Sequence, residues 1–93
     1  TQVLTKKDSG LNEIESLAGK RIGVIPDTTN EKVIQSQQPA AQLVKVKDRM
    51  EGLKKLEQGE IDGFASDGIV LEGLKKTAPN SEMLEIVPNY PFL

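Results

Sequence analysis

From Gly19 to Glu31 the chain reads Gly-Lys-Arg-Ile-Gly-Val-Ile-Pro-Asp-Thr-Thr-Asn-Glu, a short apolar strand that runs through a tight turn straight into a helix. Thr28 and Glu31 have the spacing of a capping box, in which each side chain satisfies a backbone donor at the helix start. A strand that delivers the open N-terminus of a helix, with the hydroxyls of Thr28 and Thr29 beside it, can seat a carboxylate or a phosphate. The same residues also serve as plain helix caps, and the sequence leaves both readings open.

Short apolar runs alternate with helix-period segments along the rest of the chain. Gln2–Leu4 is a first strand, and Leu11, Ile14 and Leu17, spaced three apart, predict a short helix ending near Gly19. Arg21–Ile25 is a strand, Thr29–Gln37 a helix closed before Pro39, and Gln42–Lys47 a further strand. Asp48 is placed to cap a helix in which Met50, Leu53 and Leu56 form an apolar stripe, with Gly59 as its stop. Ile61–Ser66 is the next strand. Gly68–Lys76 is a helix with Ile69, Val70, Leu71 and Leu74 facing inward, and Lys75 and Lys76 complement its dipole. Met83–Val87 is a last strand, and Pro88 and Pro91 mark the exit. Strands alternating with helices predict an α/β domain over residues 1–93: an open, mostly parallel sheet with helices on both faces, three layers in all.

Composition narrows the chemistry. With 93 residues, 37% hydrophobic and 28% charged, the chain suits one small globular domain. Its net charge of −2, with signs mixed, argues against a nucleic-acid partner. The sequence contains neither Cys nor His, which removes thiolate and imidazole metal ligands and the commonest general base. No metal and no cofactor is expected. Catalysis would have to rest on Asp27, Asp67 or Glu31, and no paired-carboxylate arrangement is visible, so the chain reads as a binding module rather than an enzyme.

In open α/β sheets ligands collect beyond the carboxyl ends of the strands, where strand order reverses. Two segments fall there: Pro26–Asn30 after one strand and Ser66-Asp67-Gly68 after another. Asp67 can accept hydrogen bonds from an ammonium group, or simply cap the following helix. A helix N-terminus and a carboxylate together offer complementary ends for a zwitterion such as a free amino acid. Asp62, inside a strand pattern near a turn, reads as structural. A phospho-acceptor receiver domain is disfavoured, because a single acid, Asp27, follows the early strand and no Lys follows Met83–Val87.

These residues resemble a known family. Leu17-Ala18-Gly19-Lys20-Arg21-Ile22-Gly23-Val24, followed by Thr28-Thr29, is similar to the L-x-G-K-x-V-x-V … G-T-T signature of family 3 periplasmic solute-binding proteins. Met50–Gly59 followed by Ile61–Asp67 resembles that family's x-A-L-x-x-L-x-x-G-x-x-D-A-x-x-x-D. The resemblance implies one lobe, the second, of a two-lobed periplasmic-binding fold, with residues 1–6 and 89–93 as crossover segments toward a first lobe. It implies a small-molecule ligand, an amino acid or related solute, held by Asp27, Thr28, Thr29, Asn30 and Asp67, with Asp67 meeting the ligand's α-amino group. It also implies an ABC-transporter permease as partner and a periplasmic or extracellular location. An extracellular sensing domain of a membrane receptor is the alternative use of the same fold, and a dehydratase-like enzyme a more distant one. Asp27 departs from the family, which has Gly there: its charge competes with an anionic ligand group, and it adopts the backbone geometry open to Gly less readily.

Overall fold

Five strands assemble the sheet: β1 (Gln2–Lys6), β2 (Arg21–Val24), β3 (Gln42–Lys45), β4 (Gly63–Ser66) and β5 (Leu84–Val87). Helices α1 (Thr29–Gln37), α2 (Arg49–Glu57) and α3 (Gly68–Thr77) follow β2, β3 and β4, and 3-10 turns occupy Ile14–Leu17 and Ser81–Met83. This computed structural model describes residues 2–7, 14–79 and 81–87. Leu11, Pro88 and Pro91, assigned above to a helix and to the exit, lie outside them.

The strand order is β3-β2-β4-β1-β5. β2 pairs in parallel with both β3 and β4, whereas β1 runs antiparallel to β4 and to β5. Four strands therefore point one way and β1 alone opposes them, which gives the expected mostly parallel open sheet. The ladders are shorter than the apolar runs that encode them. Ile25, Val46 and Ile61 still pack or lie buried, but they sit just outside the paired stretches.

Alternation along the strands sorts the core into two layers. Leu4 and Phe64 face α2 and α3, packing with Leu53, Leu56, Leu71 and Leu74. Val3, Ile22, Val24 and Ala65 face the other way, against Leu17 and Ile34 of α1. Helices thus cover both faces.

Two expectations about the core fail. Met50 is 58% exposed and Ile69 is 86% exposed. On α2 the sheet-facing position belongs to Gly52, beside Leu53 and Leu56, because the Phe64 ring fills the space a side chain there would need: a Cβ on Gly52 would lie 2.7 Å from Cδ1 and Cε1 of Phe64. That turns Met50, two positions earlier, outward. On α3 the inward face is Leu71, Leu74 and, just past the helix, Ala78. Ile69 lies about 200° around the helix from Leu71.

The helix ends carry their sequence signals. Asp48 caps α2, accepting from Glu51 N–H at 2.9 Å. After α2, Gly59 takes φ +77°, and the Gly59 N–H to Leu56 C=O and Glu60 N–H to Lys55 C=O bonds form a Schellman closure.

Gly52→Ala supplies a test of the helix–sheet approach. The extra methyl should cost about 1–3 kcal/mol by overpacking, more than the ~1 kcal/mol gained from helix propensity. A net loss of roughly 1 kcal/mol in denaturant unfolding is expected, and a gain would show that α2 does not rest on the Phe64 ring.

Candidate functional site

β2 and β4 are adjacent and parallel, with Ile22 opposite Gly63 and Gly23 opposite Phe64. Continuing that register brings the turn after β2 alongside the Ser66–Asp67 junction. The chain leaves β2 through α1 on one face and β4 through α3 on the other. The gap between these two carboxyl ends is therefore the switch point of the sheet, where such folds admit ligands. The residues named from sequence, Asp27, Thr28, Thr29, Asn30 and Asp67, all fall on this edge.

Local chemistry fixes the turn. Asp27 adopts φ +64°, the left-handed region where Gly, and among other residues Asn and Asp, is best tolerated. The backbone bend associated with Gly is thus kept with Asp in place. Its N–H donates to Glu31 Oε1 at 3.0 Å, and Glu31 N–H donates to Thr28 Oγ1 at 3.3 Å. The reciprocal cap expected of Thr28 and Glu31 forms, although the Glu31 carboxylate satisfies Asp27 N–H, one residue before the cap. Thr28 Oγ1 also donates to Ile25 C=O at 2.7 Å, which commits its proton inside the turn. Thr29 is exposed, and Asn30 is buried in the first helical turn.

Asp67 behaves differently from the other two N-cap residues. It occupies the N-cap of α3 in an extended conformation, yet its side chain makes no capping hydrogen bond, and α3 has no acid in its first turn. The carboxylate is exposed. Of its two sequence readings, hydrogen-bonded cap or ligand acceptor, the geometry withholds the first.

Besides Ser66, which the sequence already places at this edge, other residues meet there that sequence reasoning passed over. Ile25, Lys47, Asp48, Arg49, Ser66 and Val70 line a depression of about 440 Å³ where β2, β3 and β4 end. Period-2 alternation was the available signal for Ser66: it shares the face of Phe64, so it points under α2 and α3.

Asp62 sits at the opposite edge, just before β4. Arg21 N–H donates to Asp62 Oδ2 at 2.8 Å, and the Arg21 guanidinium grips both carboxylate oxygens, at 3.3 Å from Nε and 3.2 Å from Nη2. Burial opposes charge on this carboxyl, but the bonds from Arg21 and its positive charge outweigh it and hold the pKa below the ordinary carboxylate value. Asp62 is structural, as expected: it ties the start of β2 to the approach to β4.

Comparison with known proteins adds to this geometry. The chain is 36% identical over 77 residues to ABC transporter arginine-binding protein 1 of Escherichia coli K12, covering 83% of the chain and 31% of the relative. It is 30% identical over 91 residues to the glutamate/aspartate import solute-binding protein of Salmonella typhimurium LT2, covering 94% of the chain and 30% of the relative. The chain thus spans about a third of the length of these relatives. Its homologues are solute-binding proteins of amino-acid ABC transporters. Among solved structures, an ancestral arginine-binding protein bound to arginine superposes with a TM-score of 0.82 at 27% identity, over 92% of this chain and 39% of that one. Domain 2 of TmArgBP superposes at 0.77 with 20% identity, over 92% and 91% of the two chains. The fold is one lobe of a periplasmic-binding fold. No protein-family model matches the chain.

Two measurements test the lobe's geometry. Asp27→Val should lower stability by about 1–2 kcal/mol, because a β-branched residue resists φ +64°, whereas Asp27→Gly should stay within about 1 kcal/mol of the natural sequence. Equal effects would mean that the turn is not held left-handed. For Asp62, a lowered folded pKa means stabilisation that is complete at neutral pH and lost as pH falls through that value. The stability difference between the natural sequence and Asp62→Asn should be widest near pH 7 and close below about pH 4; parallel pH profiles would sink the pairing.

Proposed function

We propose that this chain is one lobe of a two-lobed protein that closes on a small polar solute, an amino acid or a close relative of one. The observation that carries the reading is the pairing at the switch point. A capped helix start with Thr29 exposed beside it lies next to Asp67, whose carboxylate is unused by its own helix. Asp67 would accept from the ligand's ammonium group, and the turn of Asp27, Thr28, Thr29 and Asn30 would meet its polar groups. Arginine and glutamate or aspartate, named for the curated relatives, support this ligand class.

A second observation supports the two-lobed arrangement. Gln2 pairs with Ser66, and Val3 with Val87, so β1 starts and β5 ends on the ligand edge. Residues 1–6 then serve as the incoming connection, of which Gln2–Lys6 runs inside the sheet as β1. Residues 89–93, outside the described stretch, serve as the return. The companion lobe faces Asp67 and supplies the remaining contacts, and closure is a hinge motion whose balance the ligand shifts. By analogy with its homologues the protein works in the periplasm, or at the cell surface, and delivers its solute to an ABC permease without chemical change.

The test uses the full-length protein containing these residues, in a thermal-shift screen against amino acids. A ligand at 100 times its dissociation constant should add about 2.7 kcal/mol of stability; no shift with any amino acid would overturn the reading. Asp67→Ala should weaken binding by about 1.5–3 kcal/mol while leaving unliganded stability within about 0.5 kcal/mol. A stability loss without an affinity loss would return Asp67 to a capping role.

A further inference from the structure

Strand β1 enters the sheet at the ligand edge, and its first residue reaches the start of α3. Gln2 pairs with Ser66 across the β1–β4 ladder. By alternation its side chain shares the face of Leu4, which packs with Leu71 of α3. The half-buried Gln2 side chain ends against Gly68, the first residue of that helix. A Cβ on Gly68 would collide with Gln2 Oε1 and lie 3.2 Å from Gln2 Cδ. Gly68 has no left-handed backbone, so what calls for glycine there is the room taken by the carboxamide. Asp67 stands immediately before it, and no capping bond ties the Asp67 carboxylate to α3. The corner that presents Asp67 is therefore braced from the strand side, by Gln2.

Resting on the solute-binding reading, we infer that Gln2 is a positioning residue, which links the connection from the companion lobe to the Asp67 corner. β1 is paired on both sides, with β4 and with β5, so it resists sliding along its own length. A rotation of the connection during closure reaches the lobe where β1 begins, and there Gln2 leans on the residue next to Asp67. The contact is steric: the length of the side chain, rather than a hydrogen bond, holds the start of α3 in place. Gln2 acts through Gly68 and not on the solute itself.

A double-mutant cycle in the full-length protein tests the link. Each variant is titrated calorimetrically with L-arginine, L-glutamate and any other standard amino acid that shifts the melting of the natural protein. The carboxamide is the far end of a flexible side chain, so Gly68→Ala should displace it and still fold, which a circular-dichroism melt checks. Gln2→Ala and Gly68→Ala should each weaken the bound amino acid about five-fold. The double variant should also lose about five-fold rather than about twenty-five-fold, because both changes remove one contact. Gln2→Met, which keeps the length of the side chain, should stay within about two-fold of the natural affinity. Unchanged affinity in Gln2→Ala, or single losses that multiply in the double variant, overturns the link while leaving amino-acid binding intact. A natural protein that binds no amino acid overturns it together with the reading beneath it.

Discussion

Phe64 is the side chain on which the arrangement depends. Its ring is fully buried at the middle of β4, the strand hydrogen-bonded to both β2 and β1. It fills the volume that a side chain at Gly52 would occupy, while at Gly23 that volume is taken by Cδ1 of Ile61. Because Gly52 brings no Cβ, α2 settles directly on the ring, and its first turn is drawn over the carboxyl ends of the strands. A larger residue in the helix would lift α2 away and carry Lys47, Asp48 and Arg49 with it. A core packing contact therefore sets the spacing of the groups on the candidate edge.

Three helices begin on that edge, and they are not electrostatically alike. At α1 and α2 the exposed backbone donors are met from within, by Glu31 returning to Asp27 N–H and Glu51 returning to Lys47 N–H. The third helix, α3, begins with an acid that makes no such bond. The positive ends of the first two dipoles are largely answered by their own carboxylates, so a visiting anion gains less from them than an unfilled helix start would offer. The negative charge at the third is exposed to solvent. Charge at this edge is therefore carried by side chains and their placement more than by the dipoles.

Much of this was legible in the sequence, for local reasons. Helix α1 was readable because Thr28, Glu31 and the following Pro39 act through neighbours in the chain, and its observed span Thr29–Gln37 follows from them. Asp48 and Gly59 marked the ends of α2 in the same way. Met50 and Ile69 were misassigned because helical periodicity specifies an apolar stripe without saying which side of it a distant aromatic ring will fill. The antiparallel setting of β1 was equally hidden, since strand direction depends on pairings more than fifty residues apart. At the site, Asp27 stood out as a departure from Gly, and its left-handed backbone emerged only in the structure. Ser66 and the cations at Lys47 and Arg49 became a group only when three strand ends were brought side by side.

Strands β1 and β5 are neighbours, and Val3 faces Val87 across their ladder. The first and last described strands of the lobe therefore open a single strand spacing apart, about 5 Å. A host chain could accommodate the whole unit in place of one tight loop, with little added loop-closure entropy. Such a domain behaves as a cassette. It can be carried from one polypeptide to another, or embedded within a larger one, without requiring the surrounding fold to stretch or its own core to be rebuilt.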